Sequence, residues 1–203
     1  MDGTMLPDIS TLPNMPLVDR NQTLDTLFEP SEHLHSIAES LLLQKSCTSY
    51  QALIDFVRAR LIALASSNDP GDRTILLDIL GSHPRLGEKA PASNSAGDEA
   101  FQGEGQRHLN ELSKAEQANI NRAGQKESAE QLIALNREYE EKFPGLRYVT
   151  FVNGRGRDAI MEDMRRRIDQ GDLELEILET IQSAKIAVLE ASGIEAMYED
   201  RPE

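Results

Sequence analysis

The sequence predicts an all-α fold: a single-domain helical bundle with one short extended segment and one long mid-chain loop. Three observations carry that expectation. Apolar residues recur at helical spacing through most of the chain, as they do when one face of each helix is buried. Tyr148-Val149-Thr150-Phe151-Val152 is the one strand-like run, and without a partner run in view it makes no sheet. The length of 203 residues suits one domain better than two.

Taken in order, Met1 to Pro16 is broken by Pro7, Pro13 and Pro16 and reads as an extended leader, so residues 1–22 are expected to be flexible and residues 23–198 to form the domain, with a tail over 199–203. Leu34, Ile37 and Leu41 mark a first core-facing helix, and Leu53, Phe56, Val57, Leu61 and Leu64 a second. Ile75, Leu76, Ile79 and Leu80 mark a short third helix, stopped by Gly81-Ser82-His83-Pro84. From Ala90 to Gln106 large apolar residues give way to Ala, Ser, Asn and Gly, which predicts a loop long enough to be either functional or disordered. Helices resume from Ser113 to Gly124 and again through Leu132, Leu135, Tyr139 and Phe143, the latter ended by Phe143-Pro144-Gly145. The run from Tyr148 is expected to lie across the bundle, its backbone groups satisfied by neighbours or by a ligand. Ile160, Met161, Met164 and Ile168 define another helix, broken at Gly171-Asp172. A last helix from Leu173 is read with Leu178, Ile181, Lys185 and Val188 on one face.

A formal net charge of -14 argues against binding the phosphate-rich surface of nucleic acid. No apolar run approaches the length of a membrane span, and the leader lacks the basic and apolar regions of a secretory signal. Cys47 is the only cysteine, so there is no internal disulfide, and a reducing compartment is the natural reading. Arg201-Pro202-Glu203 is not a Ser-Lys-Leu peroxisomal address, which leaves the cytoplasm as the expected compartment, although peroxisomal import on another protein would leave no such mark. Arg155, Arg157, Arg165, Arg166 and Arg167 form one basic stretch. It reads either as a solvated helix face or, near Asn153-Gly154-Arg155-Gly156-Arg157, as a site for a carboxylate.

No phosphate loop, zinc-binding His-Glu-x-x-His or Gly-x-Ser-x-Gly elbow is present, so a nucleotide or metal has little support. His33 and His35 are two apart and point different ways on a helix, and with His108 they read as surface or capping residues. His83 differs because Pro84 restricts it to extended geometry at a helix break. It is either a core-edge histidine or a fixed imidazole suited to proton transfer. Ser113 and Glu116 have the spacing of a capping box, yet Glu116 beside Gln117 also offers the acceptors and donors that would read a ureido or imide edge.

Three blocks in this order, Gly81-Ser82-His83-Pro84-Arg85-Leu86-Gly87, Ser113-Lys114-Ala115-Glu116-Gln117 and Leu135-Asn136-Arg137-Glu138-Tyr139-Glu140-Glu141-Lys142-Phe143, resemble the 2-oxo-4-hydroxy-4-carboxy-5-ureidoimidazoline (OHCU) decarboxylases of urate breakdown. The resemblance runs from about Leu24 to Leu189. It implies an all-helical, cofactor-free, commonly dimeric carboxy-lyase that forms (S)-allantoin and carbon dioxide. By the same resemblance His83 and Glu116 are catalytic, while Pro84, Ser113, Gln117 and the backbone through Phe151 and Val152 meet the substrate.

The chain also departs from the family pattern. Phe143-Pro144-Gly145-Leu146-Arg147-Tyr148 stands where the family has Gly-Phe-Pro-Phe after its Lys-Phe pair, and Ala118-Asn119-Ile120 replaces Ala-Gly-Leu. The family's Lys-Ile-x-x-Leu-Arg ending reads Lys185-Ile186-Ala187-Val188-Leu189-Glu190, which removes a ligand-binding arginine. Arg155 or Arg157 is expected to take over its charge. Two alternatives stay open: an enzyme of this fold acting on another ureido or imide compound, and a helical binding protein without turnover.

Overall fold

The computed structural model describes residues 6–43, 47–87, 126–150 and 155–191. Among them every regular element is helical. The chain starts with a 3-10 turn, Ile9–Asn14, capped by the Asp8 carboxylate accepting from the Ser10 amide at 2.8 Å. Among the described residues seven α-helices follow: α1 Leu17–Leu27, α2 Glu32–Leu42, α3 Tyr50–Ala65, α4 Pro70–Gly81, α5 Lys126–Lys142, α6 Arg157–Gln170 and α7 Leu173–Ala191.

The starts follow from side-chain caps. Ser31 accepts from the Leu34 amide, Ser49 from the Ala52 amide and Asp69 from the Gly71 amide, with Pro70 at a first-turn position that needs no amide hydrogen. Between α6 and α7, Gly171 takes the left-handed conformation at φ 66° and Asp172 then caps α7 through the amides of Glu174 and Leu175.

The amphipathic helix α3 packs against α2, α4 and α7, while α5 packs on α6. Leu53, Ile54, Val57 and Leu61 of α3 meet Leu34 and Leu42 of α2, Leu76 and Leu80 of α4, and Ile177 and Ile181 of α7 in one apolar cluster. No described helix is long and apolar enough to cross a membrane.

The structure corrects two expectations. Residues 6–22 are not a loose leader, because Ile9–Asn14 and the start of α1 are helical, Leu12 is fully buried and the Tyr50 hydroxyl donates to the Pro7 carbonyl at 2.7 Å. Pro13 is tolerated because it sits within a 3-10 turn rather than in a long ladder, and Pro16 because it precedes the first turn of α1. In α7 the buried face carries Ile177, Ile181 and Val188, whereas Leu178 is 46% exposed. Lys185 forms an ion pair with Asp55 of α3 at 2.9 Å. The loop expected over Ala90 to Gln106 and the helix from Ser113 to Gly124 lie outside the described residues.

Candidate functional site

Helix α4 ends at Gly81 and delivers Ser82 and His83 into a turn that runs to Gly87. This turn is pinned from several directions. A Cβ on Gly81 would lie 2.7 Å from the Gly145 carbonyl oxygen, so the end of α4 touches the backbone of the corner after α5. Gly87 has φ 79° and is pressed on Leu132, where a Cβ would lie 2.4 Å from Cδ2. Buried Asn136 of α5 donates from Nδ2 to the Leu86 carbonyl at 2.9 Å and to the Leu132 carbonyl at 3.0 Å. Arg85 grips Glu140 through two hydrogen bonds, 2.6 and 2.8 Å, and Arg147 reaches the same carboxylate at 2.5 Å.

These contacts hold the backbone on both sides of His83 and leave its ring without a hydrogen bond or ion pair among the described residues. The ring keeps part of its surface accessible, yet protein atoms crowd it closely, and desolvation pushes its pKa down to about 4. At neutral pH the imidazole is therefore uncharged, with one nitrogen free to accept a proton. Pro84 follows it, half-buried, in the same turn.

The extended segment is described from Leu146 to Thr150, and it is buried at Tyr148, Val149 and Thr150. Helix α6 holds it from one side. The Tyr148 hydroxyl donates to Asp163 at 2.6 Å, and the Val149 carbonyl accepts from Arg167 Nη1 at 2.9 Å. Arg167 and Glu176 are both almost wholly buried, at 2% and 3% exposure, and form a multidentate ion pair, with Nε at 2.9 and 3.0 Å from the two carboxylate oxygens. Arg167 Nη2 also donates to Thr180 Oγ1 at 3.2 Å, and the Tyr139 hydroxyl donates to Glu176. Burial alone would lower the arginine pKa, but the hydrogen bonds and the charge of Glu176, with smaller contributions from Tyr139 and Tyr148, together raise it. Burial and the neighbouring carboxylate keep the Tyr139 phenol protonated. The Arg167 guanidinium also lies over the Tyr148 ring, 4.8 Å from its centroid.

Of the residues expected at the site, His83, Pro84, Arg155 and Arg157 are described. Ser113, Glu116, Gln117, Phe151 and Val152 lie outside the described residues, as does the Glu190 side chain. Arg155 is exposed and donates to Thr150 Oγ1 and to the Ala159 carbonyl, both at 3.3 Å, so it borders the extended segment. Arg157, the first residue of α6, is buried. The rest of the basic stretch is already matched by acids: Arg165 with Glu138, Arg166 with Asp163 and Glu179, and Arg167 with Glu176. His33 lies 4.0 Å from Asp78, and His35 contacts Asp25 at 2.6 Å. No group of three or more metal-ligating side chains occurs among the described residues.

A cleft of about 520 Å³ opens between the start of α2 and the end of α4, lined in part by Glu32, His33, Asp78 and Ser82. It adjoins the turn but does not include His83, and its two carboxylates disfavour an anionic ligand. Sequence reasoning missed Asn136, Glu140, Arg167 and Glu176 as supports. For Asn136 a register signal existed, since it falls four residues after Leu132 on the buried face of α5.

No curated protein matches the chain. The order of the three sequence blocks agrees with a match of the OHCU decarboxylase family model to residues 13–189, and the chain belongs to that family.

Proposed function

We propose that this chain is the cofactor-free decarboxylase that converts 2-oxo-4-hydroxy-4-carboxy-5-ureidoimidazoline into (S)-allantoin and carbon dioxide. Family membership supports a decarboxylase of urate catabolism in general. The finer assignment is supported by one observation: a desolvated His83, uncharged at neutral pH, whose turn is held through its backbone and whose ring has no hydrogen bond or ion pair among the described residues.

The chemistry suits such a group. As the bond between the ring carbon and its carboxylate breaks, carbon dioxide leaves and the electron pair enters the adjoining imine. The imine nitrogen takes up one proton, and the resulting enol then loses its hydroxyl proton as the ureido-bearing carbon gains one, so that the whole reaction consumes one proton. The substrate's own imine and carbonyl delocalise the charge, so the protein supplies orientation, electrostatics and a proton to one face. His83 takes the proton transfer at the hydroxyl and carboxylate end. Glu116 and Gln117 hold the ureido and ring amides, assisted by Ser113, and Pro84, Phe151 and Val152 border the ligand. Arg155, which is exposed, and Arg157, which is buried, would supply the positive charge that Glu190 does not. The same reading carries a homodimer working in the cytoplasm, without nucleic acid or membrane.

The substitution of Glu190 for the family's arginine favours a second reading, in which the site serves another ureido or imide compound. A binding protein without turnover is the third. Fresh imidazoline made from urate with a uricase and a hydroxyisourate hydrolase separates them: accelerated formation of optically active allantoin is expected. Decay no faster than the spontaneous, racemic reaction overturns the assignment. Full activity in His83→Ala overturns the role given to that histidine.

A further inference from the structure

We infer that Arg167 is a positioning residue for the reaction: clasped by Glu176 and Thr180, it fixes the Val149 carbonyl and so sets the course of the extended segment along the substrate. This rests on the decarboxylase reading, which puts that segment beside the ligand.

An extended segment inside a helical bundle has no neighbouring strand to set its register. Its buried polar groups must be held by side chains. Here α6 supplies them four residues apart, Asp163 to the Tyr148 hydroxyl at 2.6 Å and Arg167 to the Val149 carbonyl at 2.9 Å. Arg155, just before α6, adds a bond to Thr150 Oγ1 at 3.3 Å. Three consecutive residues thus hang from one helix and its approach.

Stability gives little reason for an ion pair at this depth. Two buried charges lose their hydration, and well-packed apolar residues of similar volume commonly serve a core as well. Such a replacement cannot hold the Val149 carbonyl. Glu176, Thr180 and Tyr139, from α7 and α5, fix the guanidinium so that Nη1 is aimed at that one acceptor. The network therefore ties three helices to the placement of a single carbonyl.

The test is the double variant Arg167→Met/Glu176→Leu in the full chain, with Arg167→Lys beside it. The double variant is expected to fold and to melt closer to the parent than Arg167→Leu alone does, because neither charge is left without its counter-ion, although the Tyr139 hydroxyl and Val149 carbonyl lose their partners. Its kcat is expected to fall about tenfold or more, as slight misplacement of reacting groups commonly does, with KM changing less. Amide hydrogen exchange at Tyr148, Val149 and Thr150 should accelerate. Arg167→Lys, which keeps the charge but lacks the forked donors, should move the same way to a smaller extent. Parental kcat and parental exchange in a folded double variant overturn the inference. If the double variant does not fold, parental kcat and exchange in Arg167→Lys overturn it. A parent chain that fails to accelerate imidazoline decay overturns the decarboxylase reading instead, and the exchange measurement still decides whether Arg167 fixes the segment.

Discussion

Asn136 directs both of its amide hydrogens at carbonyl oxygens, one on its own helix at Leu132 and one at Leu86 in the turn that carries His83, at 3.0 and 2.9 Å. The side chain is buried and its bond to Leu86 crosses 50 positions of sequence, so it carries the tertiary contact that local helix formation does not. Asn136→Asp turns a donor into an acceptor facing two carbonyls. A loss of about 1–3 kcal/mol in urea unfolding is expected, because buried groups are left unsatisfied. Asn136→Leu should cost less stability yet still lower the decarboxylation rate. Rate and stability measured together distinguish the two.

Acidification should expose the state of His83. Its pKa is near 6.5 when unfolded and about 4 in the folded chain, so between these values the unfolded state binds more protons. The contribution is fully present above pH 6.5 and is lost as pH falls toward 4, with a slope no steeper than about 1.4 kcal/mol per pH unit. Water at the partly exposed ring offsets some of it. Thermal melts from pH 7 to 4 should fall less steeply in His83→Gln than in the parent, and equal slopes would show that the ring is not desolvated.

Gly81→Ala should damage the site through the backbone. Its new methyl would meet the Gly145 carbonyl oxygen at 2.7 Å, and neither backbone can yield like a flexible side chain. A loss of about 1–3 kcal/mol is expected, with activity falling alongside the melting temperature. Parental stability in this variant would mean that the α4 end is loosely seated.

Removing one partner of the buried pair should be far worse than removing both. Arg167→Leu alone leaves Glu176 buried without its counter-ion, and a loss of about 3–5 kcal/mol is expected by denaturant unfolding. Tyr139→Phe, which removes one donor to Glu176, should cost about 1–2 kcal/mol.

The arginines of the basic stretch should separate by role. Arg155→Ala is expected to raise KM for the anionic substrate while leaving the melting temperature in place, because its side chain is exposed. Arg165→Ala, which removes a surface pair with Glu138, should change neither. Equal KM in both variants and the parent would remove Arg155 from the substrate site.

Much of the helical order was legible because Leu53, Val57, Leu61 and Leu64 repeat at core spacing and Gly81-Ser82 ends α4 without ambiguity. The early helices were not, since Pro13 and Pro16 resemble breaks while the burial of Leu12 depends on contacts remote in sequence. Leu178 misled because it fits a helical stripe that Ile177 actually occupies. His83 could be picked out locally, from the proline after it. Arg167 could not, because Arg165-Arg166-Arg167 looks like solvated charge until Glu176, Thr180 and Val149 are brought around the third member.

The contact of Gly81 with the Gly145 backbone makes the histidine turn and the corner after α5 one transplantable piece. Anyone grafting residues 81–87 into another scaffold would have to carry residues 143–146 with them. Recombination between relatives should likewise yield working chimaeras only when its crossover points keep these two stretches from the same parent.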